Sequence, residues 1–170
     1  MHDGYIFTLG VCGSAAGGGP APACLDLMLA AIPPVKRAAY LGEVFDSVER
    51  DALDPLTVPV RLDLADAELL LLTTPLPGGA LPPRLRSLTR ALMVAPPPPR
   101  RRYAAIVAFA DGSLDGLWPL RHALEAAEIE ILGELYASVD ADPATLADDL
   151  AELARMAYGR ARAMHPEALP

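Results

Sequence analysis

Four consecutive leucines, Leu69–Leu72, followed by two threonines and then by "PLPGGALPP", constrain this chain more than any other stretch. The run has the length of a strand and lacks polar residues at alternate positions, so both of its faces must be covered. Strands of that kind lie inside parallel sheets, whose crossover helices pack on each side. A second such run, "YAAIVAFA" at 103–110, also ends in a glycine loop, "DGSLDG".

The rest of the chain repeats the same unit. "YIFTLGV" (5–11) reads as a strand, a Gly-rich loop follows, and Leu25, Met28, Leu29 and Ile32 then recur at helical spacing until Pro33-Pro34 stops them. "RAAYLGEVF" (37–45) reads as a second strand, and 46–66 admits a short helix and an extended piece without fixing either. The strand at 68–74 leads to a helix carrying Leu81, Leu85, Leu88, Leu92 and Met93, and the strand at 103–110 to one carrying Leu114, Leu117, Trp118, Leu120 and Leu124. "EIEILGELYA" (128–137) is the last strand. Asp142 then caps a helix with Pro143 in its first turn and Leu146, Leu150, Leu153, Ala157, Ala161 and Met164 in one apolar stripe. Five strands alternating with helices imply an open parallel α/β sheet in a single domain, 1–170, with ligands taken at the carboxyl ends of the strands.

Composition narrows the function. A net charge of -8 argues against binding nucleic acid through its phosphates, and "RRR" at 100–102 reads as a solvated linker into a strand. The apolar runs break well short of the ~18 residues of a membrane span. "MHDGYIF" lacks the basic start of an export signal, so a cytoplasmic location is expected. Cys12 and Cys24 have no histidine at ligand spacing and read as free thiols. Asp111 and Asp115 read as turn formers rather than metal ligands, His122 and Trp118 as a pair on one helix, and Tyr103 and Tyr136 as core. Ser14 has no identifiable base, so no catalytic residue is assigned and no metal is expected.

The first loop, "GVCGSAAGGGP" (10–20), joins a strand to a helix, where unpaired N–H groups and the helix dipole attract anions. Gly10, Gly13 and Gly17 give GxxGxxxG, which is neither a Walker loop nor the dinucleotide GxGxxG.

Taken together, "GSAAGGG", "ADAELLLLTTPLPGGALPPRLRSL" and "AIVAFADGSLDGLWPLRHAL" resemble, in order and over nearly the whole chain, the flavodoxin-like NADPH-dependent FMN reductases and their flavodoxin relatives. The resemblance implies a three-layer sandwich with strand order 2-1-3-4-5, FMN as cofactor, a homodimer, and electron transfer from NAD(P)H to a quinone, a flavin or a similar small acceptor. It also implies site residues. Ser14 and the backbone of Ala15, Ala16, Gly17, Gly18 and Gly19 would cradle the phosphate; Thr74, Pro75, Leu76, Pro77, Gly78 and Gly79 would border the ring; Asp111, Gly112 and Ser113 would form a third wall. The chain departs from the family's pattern in four ways. Ala16 replaces the phosphate-loop arginine, Pro20 removes a donor, Leu76-Pro77 replace an aromatic or asparagine, and Asp111 places a carboxylate where glycine is frequent.

Two other readings stand beside this one. In the first, the sheet is kept but the pocket has degenerated, leaving a non-enzymatic interaction subunit. In the second, Glu43 holds a ribose in a nucleotide-binding Rossmann-like protein.

Overall fold

The computed structural model describes residues 4–14, 19–41, 57–94 and 100–165. Within them lie β1 (Thr8–Cys12), α1 (Ala21–Ala30), β2 (Arg37–Leu41), α2 (Thr57–Asp66), β3 (Leu69–Pro75), α3 (Pro83–Val94), β4 (Arg102–Phe109), α4 (Trp118–Ala126), β5 (Ile129–Ala137) and α5 (Pro143–Ala163). The five strands form one sheet, all neighbours parallel, in the order β2-β1-β3-β4-β5. This is the order the resemblance implied.

The pleat explains why the leucine run has no polar alternation. Leu70 and Leu72 join Leu9, Val11, Ala104, Ile106 and Ala108 in one core, closed by Val60 and Leu64 of α2, Leu85, Leu88 and Leu92 of α3, and Leu120 and Leu124 of α4. Leu69 and Leu71 point the other way, with Tyr103, Ala105, Val107 and Phe109, into a second core closed by α1 and α5. The central strands β1, β3 and β4 thus feed two hydrophobic layers and are withdrawn from water, as the two-faced covering of a parallel sheet requires.

Several expectations shift. The first strand starts at Thr8 rather than Tyr5; Phe7 stands at its entrance, its carbonyl accepting from the Glu68 and Leu69 N–H groups at 2.9 and 3.2 Å. Of the ambiguous stretch, 57–66 is helical; the expected end of the second strand, including Glu43, lies outside the described residues. Met93, Trp118 and Met164, expected on apolar stripes, are exposed. Tyr103 is core, but Tyr136 is 43% exposed because β5 is an edge strand, and its hydroxyl meets Arg121 and Glu134 instead. The basic run divides: Arg100 and Arg101 are solvated, whereas Arg102 is the buried first residue of β4. Asp142 caps α5 as expected, its carboxylate accepting from the Ala144 N–H at 3.0 Å. Among the described residues no helix is long and apolar enough to cross a membrane.

Candidate functional site at the carboxyl edge of the sheet

Because all strands run the same way, the loops after β1, β3, β4 and β5 emerge at one edge. They are tied together by backbone contacts. Gly13 N–H donates to the Thr73 carbonyl at 2.9 Å, and the Thr73 hydroxyl donates to the Ala21 carbonyl at 3.0 Å, fixing the start of α1 to the end of β3. Leu76 N–H donates to the Phe109 carbonyl at 2.9 Å, which holds the β3 loop against β4. The β3 and β4 loops also meet directly: a side chain on Gly116 would place its Cβ 2.1 Å from the Gly79 carbonyl oxygen.

The glycines of these loops have two different jobs. At Gly13 a Cβ would lie 2.7 Å from Leu85 Cγ and 2.8 Å from the Thr74 hydroxyl, so packing demands glycine there. At Gly19, Gly78 and Gly112, one from each of three loops, a Cβ would have nothing within 4 Å. Gly19 and Gly78 need glycine for their backbone, with φ of 67° and 61°. Gly112 carries no such constraint, so its lack of a side chain leaves open backbone at the mouth of the edge.

The expected site residues fall into three groups. Ala15, Ala16, Gly17 and Gly18 lie outside the described residues. Ser14, Thr74 and Leu76 turn inward. Ser14 is 4% exposed and engaged by the protein, the Thr74 hydroxyl donates to the Pro75 carbonyl at 2.8 Å, and Leu76 belongs to the core. Gly19, Pro77, Gly78, Asp111, Gly112 and Ser113 are exposed along the mouth, while Pro75 and Gly79 are half-buried beneath it. The Asp111 carboxylate is committed to the β5 side, accepting from the Ser138 hydroxyl at 2.7 Å and the Val139 N–H at 3.2 Å.

Sequence reasoning passed over three determinants. Pro22 joins Pro20 in the first turn of α1, so two of its early positions carry no N–H to offer an anion. Gly116 closes the β3 and β4 loops on each other. Ser138 turns Asp111 away. Pro22 and Gly116 stand in plain view in "GPAPAC" and "DGSLDG", whereas the partnership of Asp111 with Ser138 spans 27 residues and leaves no local trace.

Electrically the edge is acidic. Its described loop residues include Asp111, Asp115, Asp140 and Asp142 and no lysine or arginine. Among the described loop residues, an anion would find backbone N–H groups rather than a basic side chain.

The two thiols face inward from β1 and α1. Burial raises the Cys12 pKa, and burial together with the neighbouring Cys12 pushes Cys24 up to about 11. Only the thiolate is nucleophilic, so both thiols are inert near neutrality. The folded chain is expected to resist iodoacetamide at about pH 8, close to where a free thiol reacts, and the denatured chain to take up two labels. Mass spectrometry reads the count; fast labelling of either cysteine in the folded chain would contradict this assignment.

No protein-family model and no curated protein sequence matches the chain. Solved structures do. A flavodoxin of Streptococcus pneumoniae TIGR4 superposes with a TM-score of 0.65 at 12% identity, covering 91% of this chain and 99% of its own. An NADH:FMN oxidoreductase in its apo form gives 0.66 at 12% identity, covering 93% and 89%. An oxidoreductase from Corynebacterium diphtheriae gives 0.69 at 13% identity, covering 91% and 96%. The likeness is one of fold: the chain has the flavodoxin-like three-layer arrangement.

Proposed function

We propose that this flavodoxin-like domain binds FMN at the carboxyl edge of its sheet and serves as a redox protein, passing electrons from NAD(P)H to a quinone, a flavin or a similar small acceptor. The observation that supports the reading best is the trio Gly19, Gly78 and Gly112, which leaves bare backbone on the loops after β1, β3 and β4 with no side chain in the way. A planar ring needs that kind of approach. The structural neighbours point the same way, since their names include two flavodoxins and an NADH:FMN oxidoreductase.

The residues present fit the ring better than the phosphate. Pro77–Gly79 and Asp111–Ser113 would border the ring, and Ser14 with the N–H groups of 15–19 would take the phosphate. When bound, FMN supplies the electron transfer itself, so the chain need contribute no acid–base pair. The protein's own part would be to set the charge around the ring. The acidic loops disfavour added negative charge there, and the Asp111–Ser138 hydrogen bond holds one carboxylate aside.

The donor-poor start of α1 and the absence of a basic residue from the described edge loops favour a second reading, in which the pocket has lost its cofactor and the domain acts as a non-enzymatic interaction subunit. Titrating the apo protein with FMN and following flavin fluorescence separates the two. The expected result is saturable quenching, with Gly112→Val losing at least about tenfold in affinity, as a side chain intruding on a ligand surface does, while its melting temperature stays unchanged. NAD(P)H oxidation in the presence of a quinone then tests the reductase step. No quenching with FMN in large excess would transfer the assignment to the non-enzymatic reading.

A further inference from the structure

The opposite edge of the sheet carries a pocket of about 560 Å³, lined by Phe7, Lys36, Asp66, Glu68, Arg100 and Arg102 among others. Phe7, Lys36, Glu68 and Arg102 stand at the entrances of β1, β2, β3 and β4, so the pocket runs beneath the amino ends of four strands. Its unusual member is Arg102. The residue is 4% exposed, and its Nε and Nη2 find no hydrogen-bond partner.

A guanidinium keeps its proton under any ordinary condition, so this is a buried charge. Such a charge is costly unless an anion faces it. Glu68, the partly buried acid of the lining, is already committed. Its Oε2 accepts from the Phe7 N–H at 2.7 Å, and its Oε1 faces Arg100 Nη1 at 3.4 Å and His165 Nδ1 at 3.6 Å. The other acid, Asp66, is exposed at the end of α2. The buried His165, whose Nδ1 faces Glu68, carries a third unpartnered nitrogen, Nε2. Nε–H and the adjacent Nη2–H lie parallel on one side of the planar guanidinium, the side that receives two oxygens of one carboxylate or phosphate. On that side neither nitrogen has a hydrogen-bond partner. The lining sets three basic side chains, Lys36, Arg100 and Arg102, beside two acidic ones, on a chain whose net charge is -8.

We propose that this pocket is a second binding site, for a small anion carrying a carboxylate or phosphate group, with Arg102 as its anchor. Because Nε and Nη2 are shielded from solvent, the ligand engages them as the Arg102 side chain turns toward the pocket, and Lys36 and Arg100 lend their charge to it. The site is independent of the flavin reading, since it lies at the other edge of the sheet.

The test is an amide NMR titration of the whole nitrogen-labelled chain with sodium phosphate and, separately, with disodium succinate, each against sodium chloride at matched ionic strength. Saturable shifts are expected at Phe7, Lys36, Glu68 and Arg102, with little movement at Ser14 and Gly78. A response to one salt alone identifies the group recognised, and a response to both shows the shared chemistry. Arg102→Met is expected to lose at least about tenfold in affinity, the worth of one charge-assisted hydrogen bond, with Arg102→Lys in between. Should Arg102→Met not fold, the parent chain and Arg102→Lys still decide the matter. The proposal is overturned if neither salt gives saturable shifts at those amides beyond chloride, or if the arginine variants bind as the parent does.

Discussion

Phe109→Ala is expected to lower the free energy of unfolding by about 3–5 kcal/mol, the usual cost of emptying a buried aromatic site. Phe109 ends β4 with no exposed surface, and its ring fills the core between the sheet and the α1/α5 layer. Truncation removes apolar surface from that core and leaves a cavity that the flanking strands, fixed by their ladders to β3 and β5, close only in part. Against a typical total of about 5–15 kcal/mol, a loss of this size removes about a fifth or more of the stability. Urea unfolding should show the midpoint falling while the slope stays constant. Met93→Ala on the exposed side of α3 supplies the contrast, with a change expected within about 0.5 kcal/mol. A Phe109→Ala loss no larger than the Met93→Ala change would refute the packing assigned to the ring.

The parts of the fold that were legible in the sequence are those where one residue type has one physical outcome. Leu69–Leu72 could only be a strand covered on both faces, and each leucine is indeed withdrawn from water. Tyr136 was not legible, because edge or centre is a property of the sheet and not of the strand; the same residue type is core at Tyr103 and exposed at Tyr136. Arg102 was misread for a related reason. It looks like the end of a solvated run, yet pairing of its own backbone with Ile129 carries it under the sheet. In the site, the glycine loops announced the edge but not their separate tasks. Gly13, which the sequence shows only as part of GxxGxxxG, is held by Leu85 and Thr74; Gly112, which the resemblance places in the third wall, faces open space. Those differences arise from contacts between loops far apart in sequence, which local pattern does not record.

The contact between the β3 and β4 loops yields the sharpest test of the site. At Gly116 a Cβ would sit 2.1 Å from the Gly79 oxygen, 2.9 Å from the Gly79 carbonyl carbon and 3.0 Å from Ala80 Cα, all backbone atoms with no torsion free to move them aside. The loops must part to admit even a methyl group. Gly133 is the natural comparison. There a Cβ would approach Leu153 Cδ1 to 2.6 Å and Met156 Cε to 3.0 Å, the ends of side chains that can change rotamer. Gly116→Ala is therefore expected to cost about 1–3 kcal/mol as overpacking against a rigid neighbour, and Gly116→Val more, with Gly133→Ala the milder of the two alanine variants. Thermal melts order the three. If the β3 and β4 loops together border the FMN ring, Gly116→Ala also weakens FMN binding at temperatures where the variant remains folded, whereas Gly133→Ala, under α5 and away from those loops, leaves it unchanged. A Gly116→Ala protein that melts with the parent would show that the loops are not in contact, and one that melts lower yet binds FMN unchanged would remove this loop pair from the site.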